Sequence, residues 1–426
     1  MFNQNGLSLD QAPPISVVLR FFFSGGLFGI LAGVLILFFQ NKIFDASTME
    51  AVTLTHTLTL GVMLSFMFAA LFQMLPVIAG VTLPLPVKKA DLLQYPFLLG
   101  VITLLFAFNL SYAWLYLLAS LLLGGSILYI IVVMLQNLLK IPHHSASSKG
   151  MLFSLLALGI VILLALYLTG TLSGIFPGTH YTHVKESHYA FGLFGWISLL
   201  IISISFQVIE MFYVTPAYPK PVSTCLPLSI LTILVISTIT GLFTPAVTLG
   251  VNLLLAVTLT AYALLTLKRL TERKRPLADA TVWFWRLGLS SLILSMLFMS
   301  ISQFTDIQTI HTLSYIFFTS FALSIVFAMF YKIVPFLTWF HLNSQGYFTA
   351  PMMHEVIHPK TAKKHLYIHL ATITTFILAV FIPAFIFIAG ILTIVSFSWM
   401  TYQIVHAHLL YKKTQKTGEK FDMKMS

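Results

Sequence analysis

Apolar residues run along this chain in stretches of about twenty, separated by short polar or Pro/Gly-bearing breaks. A helix of roughly twenty apolar residues crosses about 30 Å of hydrocarbon, so each stretch reads as one transmembrane helix. The pattern predicts spans near 18–40, 50–79, 92–111, 113–139, 150–174, 186–214, 224–244, 247–267, 281–303, 309–336, 366–388 and 390–411. The expected fold is all-α: a polytopic transmembrane bundle of about twelve helices forming one domain, 1–426. Residues 337–365 then form a long loop, and 412–426 a basic tail.

Composition closes off the soluble classes. Charged residues make up 8% of the chain against 58% hydrophobic, with a mean hydropathy of +0.95. No water-soluble surface is built from that few charges. The net charge of +11 is distributed by topology. With the N-terminus placed in the cytoplasm, the inner loops and the tail (Lys412 to Lys424) carry eighteen Lys and Arg; the outer loops carry only Lys42 and Lys185. This positive-inside bias puts both termini in the cytoplasm and explains the basic surplus without a nucleic-acid partner. The lipid bilayer is the expected partner. A lone cysteine, Cys225, excludes an internal disulfide and any thiol-pair chemistry.

The spans fall into three quasi-equivalent sets of four (about 18–140, 150–267 and 281–411), and the second span of each set opens on a histidine. These are His56, His188 and His311, 132 and 123 residues apart. The segments that follow are alike: HTLTLGVMLSFMFAALFQMLP, HYAFGLFGWISLLIISISFQVIEM and HTLSYIFFTSFALSIVFAMFYKIVP. Each carries a polar group near its far end (Gln73, Gln207, Lys332). A single histidine at a helix start reads as a loop-bonded residue. Three in register, on helices in hydrocarbon where an unpaired imidazole is costly, read as ligands converging at one depth near the outer face.

On these residues the chain resembles subunit I of the haem–copper oxidases. It is closer still, in size and in the H…G…QMLPV style of span 2, to the NnrS-type haem proteins. The resemblance implies twelve helices in three sets of four, with cofactor ligands on the second helix of each. It implies His56 and His311 as the axial ligands of a haem, and His188 at the position that binds copper. The match then departs. Span 7, STCLPLSILTILVISTITGLF, has no histidine pair; His311 stands between Thr309 and Leu313 rather than in an HxH; Gly192 replaces a tyrosine four residues after His188. A copper facing a second haem needs about three imidazoles, so a conventional terminal oxidase is excluded. A single haem, with or without a weakly held copper, is the expectation. Either two imidazoles hold the iron, or one does and the other face stays open for a diatomic gas. The resemblance further implies a role in nitric oxide response or respiratory redox metabolism as a haem-dependent oxidoreductase, an electron-donor protein or quinol, and a bacterial inner (cytoplasmic) membrane.

Other groups carry weaker patterns. His180, His183 and Glu186 precede His188 in the expected outer loop GTHYTHVKESHYAFG, where His183 is a candidate metal ligand over the cofactor. Met63, Met67 and Met74 form a thioether stripe that suits copper(I), though core packing is the commoner use. Glu210 and Lys332 occupy matching inner ends and are candidates to pair, with Lys332 equally able to reach the lipid phosphates. His406 and His408 read as interfacial. His341, His354, His358 and His365 fall in the loop 337–365, with His369 just inside the next span, and none shows ligand spacing. A competing function is a copper, other metal or small-solute transporter; continuous second spans and off-centre histidines speak against it.

Overall fold

The computed structural model describes residues 12–275 and 277–420. It contains twelve helices long and apolar enough to cross a membrane: α1 (Ile15–Phe44), α2 (Met49–Ala79), α3 (Pro86–Leu110), α4 (Ala113–Leu138), α5 (Ala146–Leu172) and α6 (Gly178–Tyr213), then α7 (Lys220–Gly241), α8 (Pro245–Thr271), α9 (Ala280–Ser302), α10 (Gln308–Ser344), α11 (Pro359–Phe381) and α12 (Phe385–Thr417). No strand occurs among the described residues beyond one isolated bridge, Tyr347 to Lys420. The fold is an all-α polytopic bundle, set by hydrocarbon leaving each span no backbone partner but its own turn.

The ends of these helices follow from local chemistry. Thr48 caps α2 by accepting the Ala51 N–H, Ser145 caps α5 through the Ser148 N–H, and Asp279 caps α9 through the Thr281 and Val282 N–H groups. Prolines open α3, α8 and α11, where the missing N–H is no loss.

Each helix packs against its neighbour in the chain, and α1 lies along α12, so the bundle closes on itself. That seam depends on small residues. A Cβ on Gly29 would sit 2.1 Å from the Phe397 ring, and one on Gly33 would sit 2.8 Å from the Ile394 backbone nitrogen. Backbones approach this closely in a membrane only where side chains are absent.

The second helix of each set is the inner one. The apolar window of α2 is 83% buried, that of α6 78% and that of α10 61%, against 22% for α7 and 28% for α8. The repeat between the first two sets is detailed. Directly after its N-terminal α-helical turns, α2 changes to a π-helix over Thr57–Leu64, and α6 does the same over Phe191–Ser198. Each then continues for 15 residues, Ser65–Ala79 and Leu199–Tyr213, and ends on a residue with positive φ, Gly80 (67°) and Val214 (54°). One shift of 134 residues superposes the π segments, Gln73 on Gln207 and Ala79 on Tyr213. Gly61 and Gly195 also correspond, and each admits the first helix of its set: Phe28 of α1 lies over Gly61 and Ala157 of α5 over Gly195. By this register His56 is opposite Ala190 and His188 opposite Leu54, so the two histidines are two residues out of strict equivalence. α10 keeps α-helical bonding throughout.

Three expected boundaries are corrected. The loop 337–365 is shorter than its apolar pattern suggested: α10 carries its charged and amide residues on to Ser344, α11 starts at Pro359, and only 345–358 connects them, with one turn at Met353–Val356. The outer loop before His188 is helical, a 3-10 turn at Gly178–His180 followed by Tyr181–Ala190, continuous with α6. The basic tail begins as helix: Lys412, Lys413 and Lys416 ride on the last turns of α12, while Lys424 lies outside the described residues.

Candidate functional site

The structure brings His56 of α2 and His188 of α6 together, with ring centres 6.2 Å apart and ring planes within 12° of parallel. Both are half-buried. His56 Nδ1 lies 2.8 Å from the Val52 carbonyl oxygen, one turn back in its own helix. His188 Nδ1 lies 3.2 Å from the Val161 carbonyl oxygen of α5. A carbonyl oxygen only accepts, so in both rings Nδ1 carries the proton and donates. The neutral imidazole then presents its lone pair at Nε2. This is the tautomer in which histidine ligates a metal, with the far N–H held by a backbone carbonyl. Neither Nε2 has a hydrogen-bond partner among the described residues.

The spacing suits a shared metal. Two metal–nitrogen bonds of about 2 Å, plus the ring radius at each end, put opposed imidazole centres roughly 6 Å apart. The centre-to-centre spacing therefore matches that of two imidazoles sharing an iron or other transition metal. Phe108 of α3 packs on His56 at 4.9 Å and forms an apolar wall.

His311 is placed differently from the expectation. It is half-buried on the first turn of α10, and its ring makes no hydrogen bond and no ring contact with His56 or His188. Its neighbours anchor that turn instead: Gln308 and Thr312 both donate to the Phe44 carbonyl oxygen, at 2.7 and 3.2 Å. The pairing that the family resemblance assigned to α2 and α10 is thus made here between α2 and α6. His183 also stands apart. Its ring lies against Gly241 of α7, where an added Cβ would meet Cε1 at 3.0 Å, and its Nε2 is buried with no partner. Among the described residues no group of three or more His, Cys, Asp or Glu side chains gathers as a metal cluster. The histidine pair brings together two imidazoles and no third His, Cys, Asp or Glu side chain among the described residues.

With this geometry in view, the sequence matches no family model and no curated protein.

A second buried histidine pair was hidden by the boundary of the expected loop. His365 and His369 are 0% and 3% exposed on one face of α11. Tyr331 OH of α10 lies 2.9 Å from His365 Nδ1, and Ser396 Oγ of α12 lies 2.8 Å from His365 Nε2. His369 Nε2 bonds Ser324 Oγ of α10 at 2.9 Å. Phe327 packs between the two rings, at 4.5 and 5.0 Å. The H-x3-H spacing in KKHLYIHLATI was the available signal, because residues four apart share a helix face.

The remaining candidates have structural roles. Lys332 Nζ pairs with Asp279 Oδ2 at 2.6 Å and sits over the Tyr213 ring, while Glu210 accepts the Tyr218 backbone N–H at 3.1 Å, so Glu210 and Lys332 do not pair. Burial alone would raise the Asp279 carboxyl. The Lys332 ammonium outweighs it, with hydrogen bonds from Lys332, Thr281 and the Val282 N–H, and holds the group below the usual 3.8. Met63, Met67 and Met74 are all buried, and Met67 and Met74 line a small cavity of about 70 Å³ where α2, α6 and α10 meet. Its other walls, such as Ile204, Ile325 and Phe330, are apolar. A void so lined stays dry and offers no polar path.

Proposed function

We propose that this protein is a haem-binding integral membrane protein in which His56 and His188 are the iron ligands. The observation that carries the reading is the pair itself: two imidazoles on the two most buried helices, 6.2 Å apart, each with Nδ1 tied to a carbonyl and Nε2 free. Free lone pairs aimed from rigid inner helices are uncommon without a ligand, since polar groups in hydrocarbon are otherwise paired. A haem bound there supplies iron for one-electron transfer or for binding a diatomic gas such as nitric oxide. With both imidazoles engaged in holding the group, electron transfer with a protein or quinol donor would be favoured over binding of a diatomic gas. The wider setting belongs to the same proposal: respiratory or nitric oxide metabolism, a bacterial inner membrane, and both termini in the cytoplasm.

One observation favours a second reading. The π-helical stretches that begin one residue after His56 and three after His188 interrupt the regular bonding of both helices beside the pair. Such irregularity is a mark of transporter sites and of functional segments generally. The pair would then hold a bare copper or other metal ion in transit.

Absorbance and metal analysis of the purified chain separate the two. The haem reading requires a Soret band and stoichiometric iron, both lost in His56→Ala and in His188→Ala. A colourless protein from haem-replete cells that carries copper into proteoliposomes replaces it with the transporter reading.

A further inference from the structure

At the basic end of the bundle a cavity of about 330 Å³ opens between the Met353–Val356 turn, the start of α11 and the middle third of α12. Lys360 and Lys364 of α11 line it, one helical turn apart, and neither has an acidic partner among the described residues. His358 and His406 add two imidazoles to the wall. Gln403 of α12 also lines it; this residue is 8% exposed, and its amide makes no hydrogen bond among the described residues. His406 Nδ1 is likewise buried and unpaired.

The one carboxylate in the wall is already engaged. Glu355 accepts the Met352 backbone N–H at 2.7 Å. What remains is a set of donors, two ammonium groups and a buried amide; the first N–H groups of α11 are already capped by His358. Trp399 and Tyr402, the latter 64% exposed, flank the opening. Such residues sit at headgroup depth in a bilayer.

The geometry points to a phosphate-binding site in this cavity, with a phosphate group held by Lys360, Lys364 and the Gln403 amide. A basic pocket between helices at this depth takes that group from an anionic phospholipid headgroup; free phosphate shares its chemistry. The site is independent of the histidine pair, which lies near the opposite ends of α2 and α6.

Native mass spectrometry of the full chain in detergent tests it, with phosphatidylglycerol, phosphatidylcholine and inorganic phosphate each titrated separately. Phosphatidylglycerol should be retained over phosphatidylcholine. The double variant Lys360→Gln/Lys364→Gln should weaken retention by about tenfold or more. Gln403→Leu, which leaves net charge unchanged, should weaken it several-fold, while Lys412→Gln/Lys413→Gln on the exposed end of α12 should not. Retention of inorganic phosphate alone, lost in the Lys360/Lys364 variant, supports the site and assigns it to a soluble phosphate. Equal retention of both lipids with no phosphate bound overturns it. So does an equal loss in the Lys412/Lys413 variant, which reduces the effect to net charge. If Gln403→Leu does not fold, the two lysine pairs, all exposed side chains, decide alone.

Discussion

The two buried histidine pairs use the same side chain in opposite ways. His365 and His369 sit on one helix face; hydroxyls of Tyr331 and Ser396 engage both ring nitrogens of His365, and Ser324 engages Nε2 of His369. His56 and His188 come from different helices, and each is bonded only at Nδ1, to a carbonyl that cannot serve as donor. The first arrangement is a polar joint between α10, α11 and α12, the kind of interhelical hydrogen bonding that holds membrane bundles together. The second is tied only to backbone carbonyls and leaves both Nε2 atoms without protein partners. The pairs differ in what engages their rings, hydroxyls of neighbouring helices in one and backbone carbonyls alone in the other, a difference that residue type does not reveal.

The comparison predicts opposite outcomes for equivalent mutations. The largest effect is expected at the outer pair: His56→Ala or His188→Ala should abolish the Soret band and bound metal, with a cooperative melt still present. Loss of neither chromophore nor metal in either variant would remove the functional contrast between the pairs.

Next in size is the inner pair. His365→Leu leaves Tyr331 and Ser396 with buried hydroxyls and no partner, which costs roughly 2–4 kcal/mol. A thermal-shift assay should show a marked fall in melting temperature with the metal content per folded protein unchanged. Should chromophore vanish there while stability holds, the assignment of the two pairs is reversed.

A smaller effect is expected at Asp279, which caps α9 and pairs with Lys332. Asp279→Asn keeps a capping oxygen but loses the ion pair; Asp279→Ala loses both, at about 1 kcal/mol for the cap. The carboxyl is held below 3.8 in the folded protein. Its contribution is therefore complete above the unfolded value and is lost as pH falls through the lower, folded one. Melting curves of wild type and Asp279→Ala should converge toward acid pH, and a gap that widens there contradicts the sign.

Smallest of all is His311→Ala. Under the proposed assignment of the iron ligands to His56 and His188, this variant keeps its Soret band. Complete loss of the band would restore the ligand pairing of the haem–copper oxidases and displace His188.

The sequence by itself determined the solvent and the number of spans. Apolar runs of about twenty residues leave no alternative to spanning helices, because unpaired backbone cannot stand in hydrocarbon. The repeat also indicated that the second span of each set opens on a histidine, while the burial of those spans came from the packing. Tertiary structure alone decided which imidazoles meet. Proximity between α2 and α6 depends on how Gly61 and Gly195 admit Phe28 and Ala157, and on where each helix changes to π bonding. Periodicity at 3.6 residues per turn carries no record of a π segment. Nor did it reveal His365 and His369, since KTAKKHLYIHL begins with three lysines and reads as a loop until α10 and α12 supply hydroxyl partners. Hydrophobicity is a property of each residue and survives in the linear order. Hydrogen-bond saturation is a property of neighbours, and it exists only once the helices are packed.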